Sequence, residues 1–116
     1  MQDSIQEELN SIAEILKQYP DREILVEGHT DDLPLQNELK EKYGSNWELS
    51  GQRAINVVKY LVYAQEIDPE RIGAVAYGKF RPRVPNNSTE NRAKNRRVEI
   101  VLLPPELPVE TKSLTE

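Results

Sequence analysis

The stretch Glu23-Ile24-Leu25-Val26-Glu27-Gly28-His29-Thr30-Asp31-Asp32 decides the fold. Ile24, Leu25 and Val26 form a short apolar run closed by a glycine, so Glu23 to Gly28 predicts a buried strand. Polar, charge-bearing residues follow it at once. In α/β arrangements ligands collect at the carboxyl ends of strands, which makes His29 to Asp32 the first place to look for chemistry.

Upstream, Ser4-Ile5-Gln6-Glu7 has the form of a capping box, and Ile5, Leu9, Ile12 and Leu16 recur at helical spacing. This amphipathic helix is expected to end near Tyr19, before Pro20. Downstream, His29 to Trp47 reads as a polar, irregular segment containing Pro34 and Gly44. A second helix is expected after Ser50, a good N-cap, with Ala54, Val57, Val58 and Leu61 on its buried stripe. It stops before Asp68-Pro69. Arg71 to Gly78 predicts a second strand and Arg96 to Leu103 a third, in which Val98, Ile100 and Leu102 alternate with Arg97, Glu99 and Val101. Between these strands lies a long connection with Pro82, Pro85 and a possible helical turn after Ser88.

The order helix, strand, helix, strand, strand implies an α+β two-layer sandwich, with helices on one face of a mixed sheet. The first two strands would run parallel, joined through the second helix. Residues 1–103 are expected to form this one domain, and 104–116, with Pro104, Pro105 and Pro108, a flexible tail.

Composition removes several functional classes. The chain has 116 residues, 37% apolar and 30% charged, enough for one small core. The absence of cysteine excludes disulfides, thiolate nucleophiles and zinc–thiolate sites. No apolar run approaches the roughly 20 residues that cross a bilayer. A net charge of -5 argues against general affinity for nucleic acid or anionic lipid. The charge is uneven, however. Lys79, Arg81, Arg83, Arg92, Lys94, Arg96 and Arg97 face the single acid Glu90 within one segment. Such a run is often a solvated face, but arginine outnumbers lysine here, and its planar fork suits carboxylates and phosphates.

Asp31 and Asp32 could simply shape a turn. A metal-dependent hydrolase using His29, Asp31 and Asp32 is disfavoured, because His29 is the only histidine and no second cluster completes the shell. Arg53 is placed by this reading in the first turn of the second helix, where free N–H groups favour anions. Arg53 and that helix end would together bind an anion, while Asp31 would hold a cation. A zwitterionic ligand satisfies both. No nucleophile elbow, phosphate loop or distinct acid/base pair is present, so no enzymatic activity and no cofactor or metal is expected.

Val26-Glu27-Gly28-His29-Thr30-Asp31-Asp32, then Ser45-Asn46-Trp47-Glu48-Leu49-Ser50 with Arg53-Ala54, then Asn95-Arg96-Arg97-Val98-Glu99-Ile100, together resemble the signature of OmpA-like peptidoglycan-binding domains. The likeness covers about residues 5 to 103. The Ser45–Ser50 motif and the long insert before it resemble the MotB-type flagellar stator branch more than the OmpA and Pal branches. The resemblance implies a diaminopimelate-type peptidoglycan peptide as ligand. Asp31 would take its ammonium and Arg53 its carboxylate, with Thr30, Asn46, Leu49 and Arg96 completing the ligand-binding set. It also implies a periplasmic domain of an inner-membrane protein whose membrane helix is absent here. That protein would pair as a homodimer with a MotA-like membrane subunit in the flagellar motor. An OmpA- or Pal-like wall anchor without a motor role is the alternative. In one respect the chain departs from the family: the family domain opens with a strand before the first helix, and this chain starts at the helix.

Overall fold

The computed structural model describes residues 2–105 and 110–115. Its elements are α1 (Asp3–Lys17), β1 (Ile24–His29), α2 (Asn37–Tyr43), α3 (Asn46–Tyr63), a 3-10 turn (Pro69–Arg71), β2 (Ile72–Ala76), α4 (Thr89–Asn95) and β3 (Arg97–Leu102). The strands form one mixed sheet in the order β2-β1-β3, with β1 parallel to β2 and antiparallel to β3. The α+β sandwich expected from the sequence is therefore present. Among the described residues no strand precedes α1. The flexible tail expected for 104–116 falls partly on residues outside the described ones, and the described part carries no helix or strand.

Strand periodicity explains how the layers stack. Ile24 and Val26 of β1 point one way and are fully buried, with Ile72 of β2 and Val98, Ile100 and Leu102 of β3 packed around them. Leu9, Ala13 and Leu16 of α1 and Ala54, Val57 and Leu61 of α3 cover that face. The opposite register of the strands carries Glu27, His29, Arg97 and Glu99. Arg71 fastens α1 to the sheet by donating to the Leu16, Tyr19 and Arg22 carbonyls, a cation set against the free carbonyl end of a helix.

Two helix starts differ from the expectation. Ser4 lies inside α1, whose N-cap is Gln2 with no side-chain cap, so the Ser4–Glu7 box is not formed. The second long helix begins at Asn46, not after Ser50. Ser45 is its N-cap, its hydroxyl accepts from the Trp47 N–H, and the Glu48 carboxylate accepts from the Ser45 N–H and hydroxyl. Ser50 is instead fully buried within α3, donating to the Trp47 carbonyl and accepting from the Gly78 N–H at 3.0 Å. The segment before it is not wholly irregular, since α2 occupies part of it.

α3 crosses β1 in close backbone contact at Gly28. A Cβ on Gly28 would sit 1.9 Å from the Ser50 carbonyl oxygen, so only glycine permits the approach. The atoms that Cβ would meet are Ser50 backbone and cannot swing aside. Gly28→Ala is expected to lower the melting temperature by more than about 10 °C, because overpacking against backbone costs roughly 3 kcal/mol or more. A thermal melt followed by circular dichroism checks this, and a shift of only a few degrees would show that α3 can slide away.

Candidate functional site

β1 ends at His29, and the chain turns immediately into the loop that carries Thr30, Asp31 and Asp32. Gly78, with φ of +61°, closes that turn from the other side. Its carbonyl accepts from the Thr30 N–H at 2.9 Å, and its N–H donates to the buried Ser50 hydroxyl. The end of β1, the turn after β2 and the start of α3 are thus bonded together through backbone groups.

Asp31 sits at the centre and is 8% exposed. One carboxylate oxygen accepts from the Leu33 N–H at 3.0 Å, an Asx-type turn, and the other from the Arg96 guanidinium at 2.8 Å. Asp31 therefore shapes the loop and holds an ion pair at once. Asn46, at the first position of α3, donates through its side chain to the Leu33 carbonyl at 3.0 Å. Asn46, Leu33, Asp31 and Arg96 form a continuous hydrogen-bonded chain. Arg96 follows Asn95, whose fully buried amide bonds the Arg83 and Val84 N–H groups, the Val84 carbonyl and the Asn86 side chain. This polar plug fixes the backbone from which Arg96 projects.

Asp32 points elsewhere. It pairs with Arg92 of α4 at 2.9 Å, and Arg92 also donates to the Asn86 carbonyl. Arg92 belongs to the basic run in the sequence, but nothing in spacing alone singles it out as the partner of Asp32. Thr30 is 3% exposed, and its hydroxyl donates to the Asp31 carbonyl. Leu49 is buried on α3 between Asn46 and Arg53. His29 does not join Asp31 and Asp32, since those carboxylates are engaged by Arg96 and Arg92. It turns instead toward Glu27 and Glu99.

Arg53 requires a correction. Because α3 starts at Asn46, Arg53 lies about two turns inside the helix and not in its first turn. The N–H groups of its own turn are bonded within the helix, so they lend nothing to an anion there. Arg53 is half-exposed and carries no ion pair among the described residues. It shares with Arg96 and Arg97 the wall of a groove of about 860 Å³ between α1, α3 and β3. Of the three, Arg97 is engaged by Glu99 and the Arg81 and Asn95 carbonyls and Arg96 by Asp31, which leaves Arg53 as the arginine of this groove without an ion pair among the described residues. Beyond Asn46, an exposed stack of Trp47 and Phe80, ring centroids 5.1 Å apart, borders the site.

Comparison with known proteins places the chain among its relatives. Motility protein B of Bacillus subtilis is 39% identical over 93 residues, covering 80% of this chain and 34% of that protein. The peptidoglycan-binding protein ArfA of Mycobacterium bovis is 41% identical over 94 residues, covering 81% of this chain and 26% of that protein. The chain thus spans about a third or less of the length of these relatives. Among solved structures, the C-terminal domain of Helicobacter pylori MotB superposes with a TM-score of 0.82 at 35% identity, covering 90% of this chain and 76% of that one. The OmpA family model matches residues 1–96, and the chain belongs to the OmpA family.

Proposed function

We propose that this domain is a non-catalytic anchor that binds peptidoglycan through the zwitterionic end of a diaminopimelate-type stem peptide. The observation that carries the reading is the Asp31–Arg96 pair, with the uncommitted Arg53 on the same groove wall as Arg96. Asp31 would accept the ligand ammonium, and the carboxylate would lie between Arg53 and Arg96. Binding then exchanges one ion pair for two. The Arg96 side chain is 42% exposed and that of Asp31 11%, so the pair is only partly screened and the ligand ammonium must replace the cation that Asp31 gives up. The two charge-assisted contacts formed are each worth about 1.5–3 kcal/mol. Asn46, Thr30 and Leu49 would complete the binding set, the Thr30 hydroxyl turning from the Asp31 carbonyl to the ligand.

The relatives named for motility and for peptidoglycan binding support wall attachment as the shared task. The motility relatives favour a flagellar stator in which this domain is the periplasmic part of an inner-membrane protein beside a MotA-like subunit. No described helix is long and apolar enough to cross a membrane, so the membrane segment would lie outside this domain. One zwitterion gives modest affinity, and pairing two such domains in a homodimer on a repetitive wall raises retention by roughly 10²–10⁴.

Three variants test the pocket. Arg53→Ala is expected to weaken retention on purified peptidoglycan sacculi about tenfold to a hundredfold. Its melting temperature should stay within a few degrees of the parent. A large loss of stability with unchanged retention would make Arg53 structural. Asp31→Asn keeps an oxygen for the Leu33 N–H but removes the charge, and it should reduce retention more than Asp32→Asn does. The reverse order would move the ammonium site to Asp32.

A further inference from the structure

The face of the sheet away from the helices carries a cluster that wall binding does not use. Glu27 and Glu99 are paired across β1 and β3, and His29 lies two residues along on the same face. His29 is 2% exposed and stacks on Tyr77 at 5.2 Å between ring centroids. Neither of its ring nitrogens has a hydrogen-bond partner among the described residues. A buried, unsatisfied imidazole is costly and calls for a physical reason.

The distances suggest one. His29 Nε2 lies 3.5 Å from Glu27 Oε1 and 3.5 Å from Glu99 Oε2. Both exceed the roughly 2.7–3.2 Å of an N–H···O bond. They are close to the separation of two ligands on one tetrahedral zinc ion, about 3.3–3.4 Å for metal bonds near 2.05 Å. The three ligand atoms all lie within 4.8 Å of one another. Burial, and then the Arg97 guanidinium, hold the imidazole pKa below its usual value against the opposing pull of Glu27 and Glu99.

We propose that Glu27, His29 and Glu99 form a binding site for a borderline divalent cation of the zinc class. One imidazole and two carboxylates provide three protein ligands, and the exposed side of Glu99 leaves a fourth position for water. An all-oxygen ion such as calcium or magnesium would gain little from the imidazole. Glu99 Oε2 now accepts from Arg97 at 3.2 Å and would pass to the metal. Arg97 retains its bonds to the Arg81 and Asn95 carbonyls. Bound metal would clamp β1 to β3 next to the residues that carry Asp31 and Arg96.

The single histidine makes the test direct. The chain is stripped with chelator and titrated with zinc chloride while the imidazole ¹⁵N signals and the melting temperature are followed. One zinc per chain is expected, with a coordination shift at Nε2 and a rise in melting temperature. Glu27→Gln and Glu99→Gln should each weaken zinc binding at least about tenfold, by analogy with lost metal-site interactions. Their metal-free melting temperatures should stay within a few degrees of the parent, which keeps the test independent of whether a His29 variant folds. An unmoved imidazole signal at saturating zinc overturns the site, as does affinity unchanged in both glutamate variants.

Discussion

Everything at the site depends on the backbone of β1 touching the backbone of α3 where Gly28 meets Ser50. No side chain separates the two elements there. The contact sets how far α3 stands from the sheet, and hence where Asn46 and Arg53 lie relative to the loop after β1. Ser50 makes the contact specific, because its buried hydroxyl reaches the Gly78 N–H while the Gly78 carbonyl holds Thr30. The loop carrying Asp31 is therefore bonded to the same turn that is bonded to α3. Such a built-in arrangement suits a binding site, since little ordering remains to oppose the ligand.

Charge placement follows from that frame. The acidic chain keeps one basic segment, and the fold brings its arginines against the acidic end of β1. Arg92 and Arg96 each take one of the adjacent aspartates. Arg53, arriving from α3, is left without a partner among the described residues and shares the wall of the groove with Arg96. An ion pair between Asp31 and Arg96, with an unpaired arginine on the same groove wall as Arg96, is the arrangement on which the proposed zwitterion site rests. Asp32, tied to α4, serves to hold the neighbouring loop. Adjacent residues of one type thus acquire different tasks from the partners the fold supplies.

Much of this was legible in the sequence. The strands are readable because Ile24 to Val26 and Val98 to Leu102 have strong apolar patterns, and spacing alone marks Ala54, Val57 and Leu61 as the buried stripe of α3. Helix starts were not. Ser4-x-x-Glu7 and Ser45-x-x-Glu48 have the same form, but only Ser45 has the extended backbone a cap requires, whereas Ser4 lies within α1. Choosing Ser50 as the cap shifted Arg53 to a helix end it does not occupy. The short α2 escaped notice because it buries no residue and so leaves no apolar period. The pairing of Asp32 with Arg92, 60 residues apart, follows from where the fold sets α4 against the loop after β1, and the grouping of Glu27 and His29 with Glu99 follows from strand register; local patterns encode neither.

The assignment of the pocket is tested most directly by nuclear magnetic resonance, titrating the ¹⁵N-labelled chain with a soluble stem peptide that ends in diaminopimelate. Amide shifts are expected to concentrate at Thr30 to Leu33, at Asn46 to Arg53 and around Arg96, and to vanish when lysine replaces diaminopimelate and removes the second carboxylate. Shifts confined to other surfaces, or an equal response to the lysine peptide, would contradict the zwitterion site.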